Sequence, residues 1–128
     1  MSARFAAWIF GVLILSVALF QLALALGAPW GRVAMGGAFP GVYPPAMRAV
    51  ALVQILILGA VGLVVFVRAG LVFPQWTAAA RWPAWVVVVL LAVGVIMNLI
   101  TPSGLERLIW APVATLLSLS ALRVALSR

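Results

Sequence analysis

Four long, predominantly apolar runs, at about 5–26, 49–67, 83–100 and 108–126, dominate this chain of 128 residues. Each has the length needed to cross the hydrocarbon core of a bilayer, which takes about 20 residues for roughly 30 Å. No water is available there to satisfy backbone amides, so each run is expected to be a helix. The chain is 68% hydrophobic and 7% charged, whereas a soluble domain is about half apolar and a quarter charged. The expected fold is therefore all-α: one integral membrane four-helix bundle over 1–128. It should have a long apolar Gly/Pro-rich loop between helices 1 and 2, and a short hairpin between helices 3 and 4.

The first run, with Arg4 before it and Ala23-Leu24-Ala25 near its end, superficially resembles a signal peptide. Its apolar core is longer than the roughly 7–15 residues of such signals, so it is expected to be retained as a span. The tryptophans support the boundaries. Trp8, Trp30, Trp76, Trp82, Trp85 and Trp110 fall in expected loops or within about a turn of an expected helix end, where an indole keeps its N–H near headgroups.

Charge is scarce and lopsided. Eight arginines face the single acid Glu106, for a net charge of +7. The arginines stand singly at the edges of apolar runs and form no patch, so nucleic acid is not expected as a partner. They read instead as topology signals. Four spans put both termini on one side, with Arg4, Arg68, Arg81, Arg123 and Arg128, against Arg32, Arg48 and Arg107 on the other. That bias places the termini in the cytoplasm. Arg68 precedes the apolar Ala69-Gly70-Leu71-Val72-Phe73, which either extends span two, with Arg68 snorkelling, or lies along the interface.

There is no His, Cys, Asp or Lys. That removes disulfides, thiolate chemistry, His-ligated haem, the usual zinc and iron sites, catalytic triads and carboxylate pairs. No cofactor and no metal are expected, and a non-enzymatic role is favoured. Arginine without lysine, beside abundant Ala, Val, Leu and Gly, points to a GC-rich bacterial genome.

The remaining polar groups gather toward one membrane edge. Gln21, Gln54 and Asn98 each lie within about 10 Å of the edge opposite the termini, at 1.5 Å per residue. The adjoining segments add Trp30, Arg32, Tyr43, Arg48, Thr101, Ser103, Glu106, Arg107 and Trp110. Polar groups are costly in lipid, so this cluster is the candidate ligand site. The competing explanation is that the amides cross-link helices. The loop from Gly27 to Met47 has five Gly and four Pro, yet carries Val33, Met35, Phe39, Val42 and Tyr43. It is expected to fold over the bundle mouth, as a static cap or as a lid.

Ser103-Gly104-Leu105-Glu106 matches the capping box, with Ser103 as N-cap and Glu106 reaching back to its amide. A salt bridge from Glu106 to Arg32, Arg48 or Arg107 is compatible with that role. Pro112 should deprive the Leu108 carbonyl of its helical partner and kink span four. Gly59, Gly62, Ser118 and Ala121 offer small faces for helix packing. Thr115, Ser118 and Ser120 can bond their own helix backbone.

The segments Gly27-Ala28-Pro29-Trp30-Gly31 and Thr101-Pro102-Ser103-Gly104-Leu105-Glu106-Arg107-Leu108-Ile109-Trp110-Ala111-Pro112 resemble those of a group of small four-span bacterial inner-membrane proteins. The resemblance implies a bacterial cytoplasmic membrane and brings no activity, substrate or cofactor with it. From the residues themselves, three roles stand open: an accessory or assembly subunit of a membrane complex, a small oligomeric transporter or channel, and a binder of a lipid, quinone or pigment. The expected partners are membrane lipids, other membrane subunits or further copies of the chain.

Overall fold

The computed structural model describes residues 1–128 and contains four α-helices and no strand. They are α1 (Ala3–Leu26), α2 (Pro45–Arg68), α3 (Arg81–Ile100) and α4 (Gly104–Ala125). All four are long and apolar enough to cross a membrane. The helices begin earlier than their apolar runs because their first turns are polar or proline-containing. Ser2 caps α1 by accepting the Phe5 amide at 3.1 Å, and Pro45 opens α2 at a position where its missing N–H costs nothing. Ser103 caps α4 as its sequence indicates, accepting the Glu106 amide at 3.2 Å.

The chain runs up and down, so the termini share one end of the bundle and the long loop closes the other. Packing runs α3 on α4, α4 on α1 and α1 on α2, while the α2–α3 seam is the sparsest of the neighbouring pairs. The main core lies toward the terminal end, where Ala6, Ala7 and Phe10 of α1, Val65 of α2, Val87 of α3 and Ala121 and Val124 of α4 are buried together. Helix α4 is the most enclosed of the four and the least apolar. In lipid there is no hydrophobic gain in bringing helices together, so small residues and polar contacts must do it. Ala121 is buried and Gly62 faces Ile14 of α1, whereas Gly59 faces nothing. Thr115 and Ser120 bond the carbonyls four residues back, at 2.7 Å each. Pro112 lies within α4, which continues through it, on the exposed side.

With one acid in the chain, the arginines bond carbonyls instead, and four of them meet the C-terminal ends of four different helices. Arg48 Nε donates to Ala25 O of α1 at 2.8 Å. Arg4 donates to Gly70 O just past α2 at 3.3 Å, Arg107 to Thr101 O at the end of α3 at 3.0 Å, and Arg68 to Ser127 O past α4. Helix C-termini expose unpaired carbonyls and carry partial negative charge, so a guanidinium satisfies both at once. Arg68 does not snorkel outward. Helix α2 stops at it, the chain turns at Gly70 and Phe73 with positive φ, and its guanidinium folds inward to hold Thr77 O at 3.0 Å as well.

Candidate functional site

Between Leu26 and Pro45 the chain forms a folded cap. Gly27 ends α1 in the left-handed conformation at φ 106°, and two short 3-10 turns follow at Gly31–Val33 and Met35–Gly37. The Gly31 amide donates to Gly41 O at 2.9 Å, closing the loop on itself. A side chain is impossible at Gly31, because a Cβ there would run into the Phe39 carbonyl oxygen and lie 2.8 Å from that of Gly41. Val33, Ala34 and Tyr43 are buried beneath the cap. Two bonds fasten it to α4: Ser103 Oγ donates to Arg32 O at 2.9 Å, and Trp110 Nε1 donates to Val33 O at 2.8 Å.

Under the cap lies a cavity of about 710 Å³ reached by all four helices. Its walls are Val50, Ala51, Gln54 and Leu58 of α2 and Leu91, Gly94, Met97 and Asn98 of α3, with Phe20 and Gln21 of α1 and Glu106 and Trp110 of α4. It is partly open, and the α2–α3 seam among its walls is the most sparsely packed of the neighbouring helix pairs. The main core closes it toward the terminal end. A volume of this size lies within the roughly 300–1,000 Å³ of small-molecule sites, which are mostly apolar with a few convergent polar groups.

Those polar groups differ in how far they are satisfied. Asn98 Nδ2 is taken by Gly94 O at 2.8 Å, which leaves its Oδ1 free. Neither Gln21 nor Gln54 has a protein hydrogen-bond partner, and both are only part-buried. Glu106, 9% exposed, closes its capping box through an intermediary. Thr101 Oγ1 accepts the Ser103 amide at 3.3 Å and donates to Glu106 Oε2 at 3.0 Å, so the carboxylate holds the N-cap amide by way of a hydroxyl. No arginine nitrogen lies within 4.0 Å of that carboxylate. Arg48 and Arg107 are turned to Ala25 O and Thr101 O. Tyr43, 4% exposed, faces the same space. Burial pushes its phenol above the ordinary value, and the nearby Glu106 charge pushes it the same way.

Of the twelve residues marked by the sequence, Gln21, Tyr43, Gln54, Asn98, Thr101, Glu106 and Trp110 therefore come together around one cavity. The other five stand outside its lining, Ser103 as the N-cap of α4. Trp30, 49% exposed, stacks on Phe20 at 6.2 Å. Arg32 is exposed and contributes only its carbonyl, and Arg48 and Arg107 serve helix ends. The salt bridge that the sequence allows between Glu106 and one of these arginines is not formed. Trp110 lies deeper than its expected place at a helix end, six residues into α4, and the loop carbonyl replaces the headgroup as the partner of its N–H. Phe20 carries no distinguishing mark in the sequence, although it joins Trp30 and Trp110, the latter at 4.7 Å. In an apolar helix nothing distinguishes it from a lipid-facing phenylalanine.

A second depression, of about 440 Å³, lies at the terminal end between α2, Phe73, Trp76 and the start of α3. It is lined almost wholly by apolar side chains and offers nothing to orient a ligand. No group of His, Cys, Asp and Glu that could hold a metal is present. The chain matches no protein-family model, no curated protein and no solved structure.

Proposed function

We propose that this protein is a non-catalytic component of a bacterial cytoplasmic membrane that holds an amphiphilic molecule in the cavity beneath its loop. The five arginines at the terminal end support termini in the cytoplasm, which puts the cavity in the outer leaflet. The observation that carries the reading is a space of about 710 Å³ containing two glutamine side chains without protein partners. An amide left unpaired in an apolar medium costs on the order of 1–3 kcal/mol, and a guest with a polar head relieves that cost. The α2–α3 seam gives such a guest an entrance from the lipid, with its tail between Val50, Leu58, Leu91 and Met97. Closure of the cavity by the main core favours holding over conduction. The holding role is compatible with service as an accessory subunit that presents or buffers the guest for a larger assembly.

Native mass spectrometry of gently extracted protein tests this, with Gly94→Phe as the comparison. A Cβ on Gly94 meets nothing within 4 Å and Gly94 lines the cavity, so the ring has room to occupy it. Wild-type protein is expected to carry one copy of an amphiphile that the variant lacks while keeping its helicity. A wild type that flies bare, or a variant that carries the same adduct, overturns the proposal.

A further inference from the structure

Resting on the cavity as a holding site, the polar inventory inside it specifies which kind of head it accepts. The only formal charge on its walls is the Glu106 carboxylate. One of its oxygens takes the Thr101 hydroxyl and the other has no protein donor. The arginines at this end cannot compensate from where they stand. Arg48 and Arg107 are turned to the carbonyls of Ala25 and Thr101, and Arg32 is exposed. A guest whose head carries only a phosphate or a carboxylate would meet, at this depth, the only negative group of the chain and no cation. Asn98 adds an acceptor oxygen without a protein donor, one of its two amide hydrogens being engaged by Gly94 O.

The aromatic residues carry the same sign. Phe20, Tyr43 and Trp110 line the same cavity as Glu106, Tyr43 close enough to feel its charge, and Phe20 and Trp110 are held as a pair at 4.7 Å. Ring faces attract cations by their quadrupole, most strongly where water is scarce. A carboxylate that shares a mostly apolar cavity with such rings is a receptor for a cation on a hydrocarbon tail. We infer that the cavity selects an amphiphile with an ammonium head, the nitrogen seated between the Glu106 carboxylate and the rings of Phe20, Tyr43 and Trp110 and the chain directed out through the α2–α3 seam. Gln21 and Gln54 supply carbonyl oxygens for further N–H groups.

Competition in detergent micelles tests it with three probes of equal chain length: dodecylammonium, dodecanol and lauroyl lysophosphatidylethanolamine, each scored by tryptophan fluorescence and by native mass spectrometry. Dodecylammonium is expected to bind at least about tenfold more tightly than dodecanol, as a charge-assisted bond together with cation–π attraction implies. In Glu106→Gln, which keeps an acceptor for Thr101, that ratio should fall toward one. Should this variant fail to fold, Phe20→Leu takes its place: a reduced ratio supports the inference and an unchanged one overturns it. Lysophosphatidylethanolamine binding as tightly as the amine identifies a membrane phospholipid as the source of the ammonium. Binding of the amine alone identifies a free lipophilic amine. Equal binding of amine and alcohol to wild type overturns the ammonium inference and leaves the holding site standing, whereas binding of none of the three removes both.

Discussion

Replacing Gly31 by alanine should release the cap while leaving the helices in place. The added methyl collides with the Phe39 carbonyl oxygen and approaches that of Gly41 to 2.8 Å. Both obstacles are backbone, so relief requires the loop itself to move. Overpacking of this kind costs about 1–3 kcal/mol. Separating Gly31 from Gly41 also breaks the 2.9 Å bond that closes the loop, at about 1–3 kcal/mol for the groups left unpaired. The combined penalty, about 2–6 kcal/mol, falls on the cap and on the small cluster that Ala34 and Tyr43 form with Leu24 and Ala51, which is separate from the main core. Even the lower figure corresponds to roughly thirtyfold faster opening, at tenfold per 1.4 kcal/mol. Hydrogen exchange read by mass spectrometry should show that acceleration in peptides covering Val33, Ala34 and Gly37, whose amides are bonded within the cap. Peptides from the terminal halves of α1 and α4 should exchange as in wild type. Unchanged protection of the loop would refute the steric reasoning, and uniform loss of protection across the bundle would refute the independence of cap and core.

Three further outcomes follow from the same geometry. Thr101→Val removes the hydroxyl linking the Ser103 amide to Glu106 and should cost about 1–3 kcal/mol in detergent unfolding, whereas Thr101→Ser should recover most of it. Trp110→Phe keeps the ring but loses the bond to Val33 O, so the loop should become more sensitive to protease with only a small fall in Tm. The single tyrosine permits a clean alkaline titration at 295 nm. Its folded-state value lies above the ordinary one, so the unfolded chain gives up that proton first. Stability from this group is complete below about pH 10, falls as pH rises beyond it, and should lose that component in Tyr43→Phe.

Much of this was legible in the sequence, for a definite reason. Apolar runs of bilayer length admit one backbone solution, so the four helices followed from composition along the chain, and apolar residues in the first loop required it to fold back. Gln21, Gln54 and Asn98 could be placed at one end because helix rise converts position into depth. What stayed hidden was direction around each helix. Where lipid and protein interior are equally apolar, hydrophobicity does not mark the inward face, so neither Phe20 nor the sparse packing of α2 on α3 left a trace. The partners of the arginines were equally invisible, since a carbonyl belongs to every residue type. Thr101 stood beside a recognisable capping box, but its place between Ser103 and Glu106 depends on the turn of the hairpin rather than on spacing.

The most direct measurement is a density map of the protein in a lipid nanodisc. Elongated non-protein density beneath the loop, headed by a compact feature near Glu106 and leaving between α2 and α3, is the expected result. Side chains of α2 and α3 meeting across that space, with Gln21 and Gln54 bonded to protein and no room between them, would contradict it.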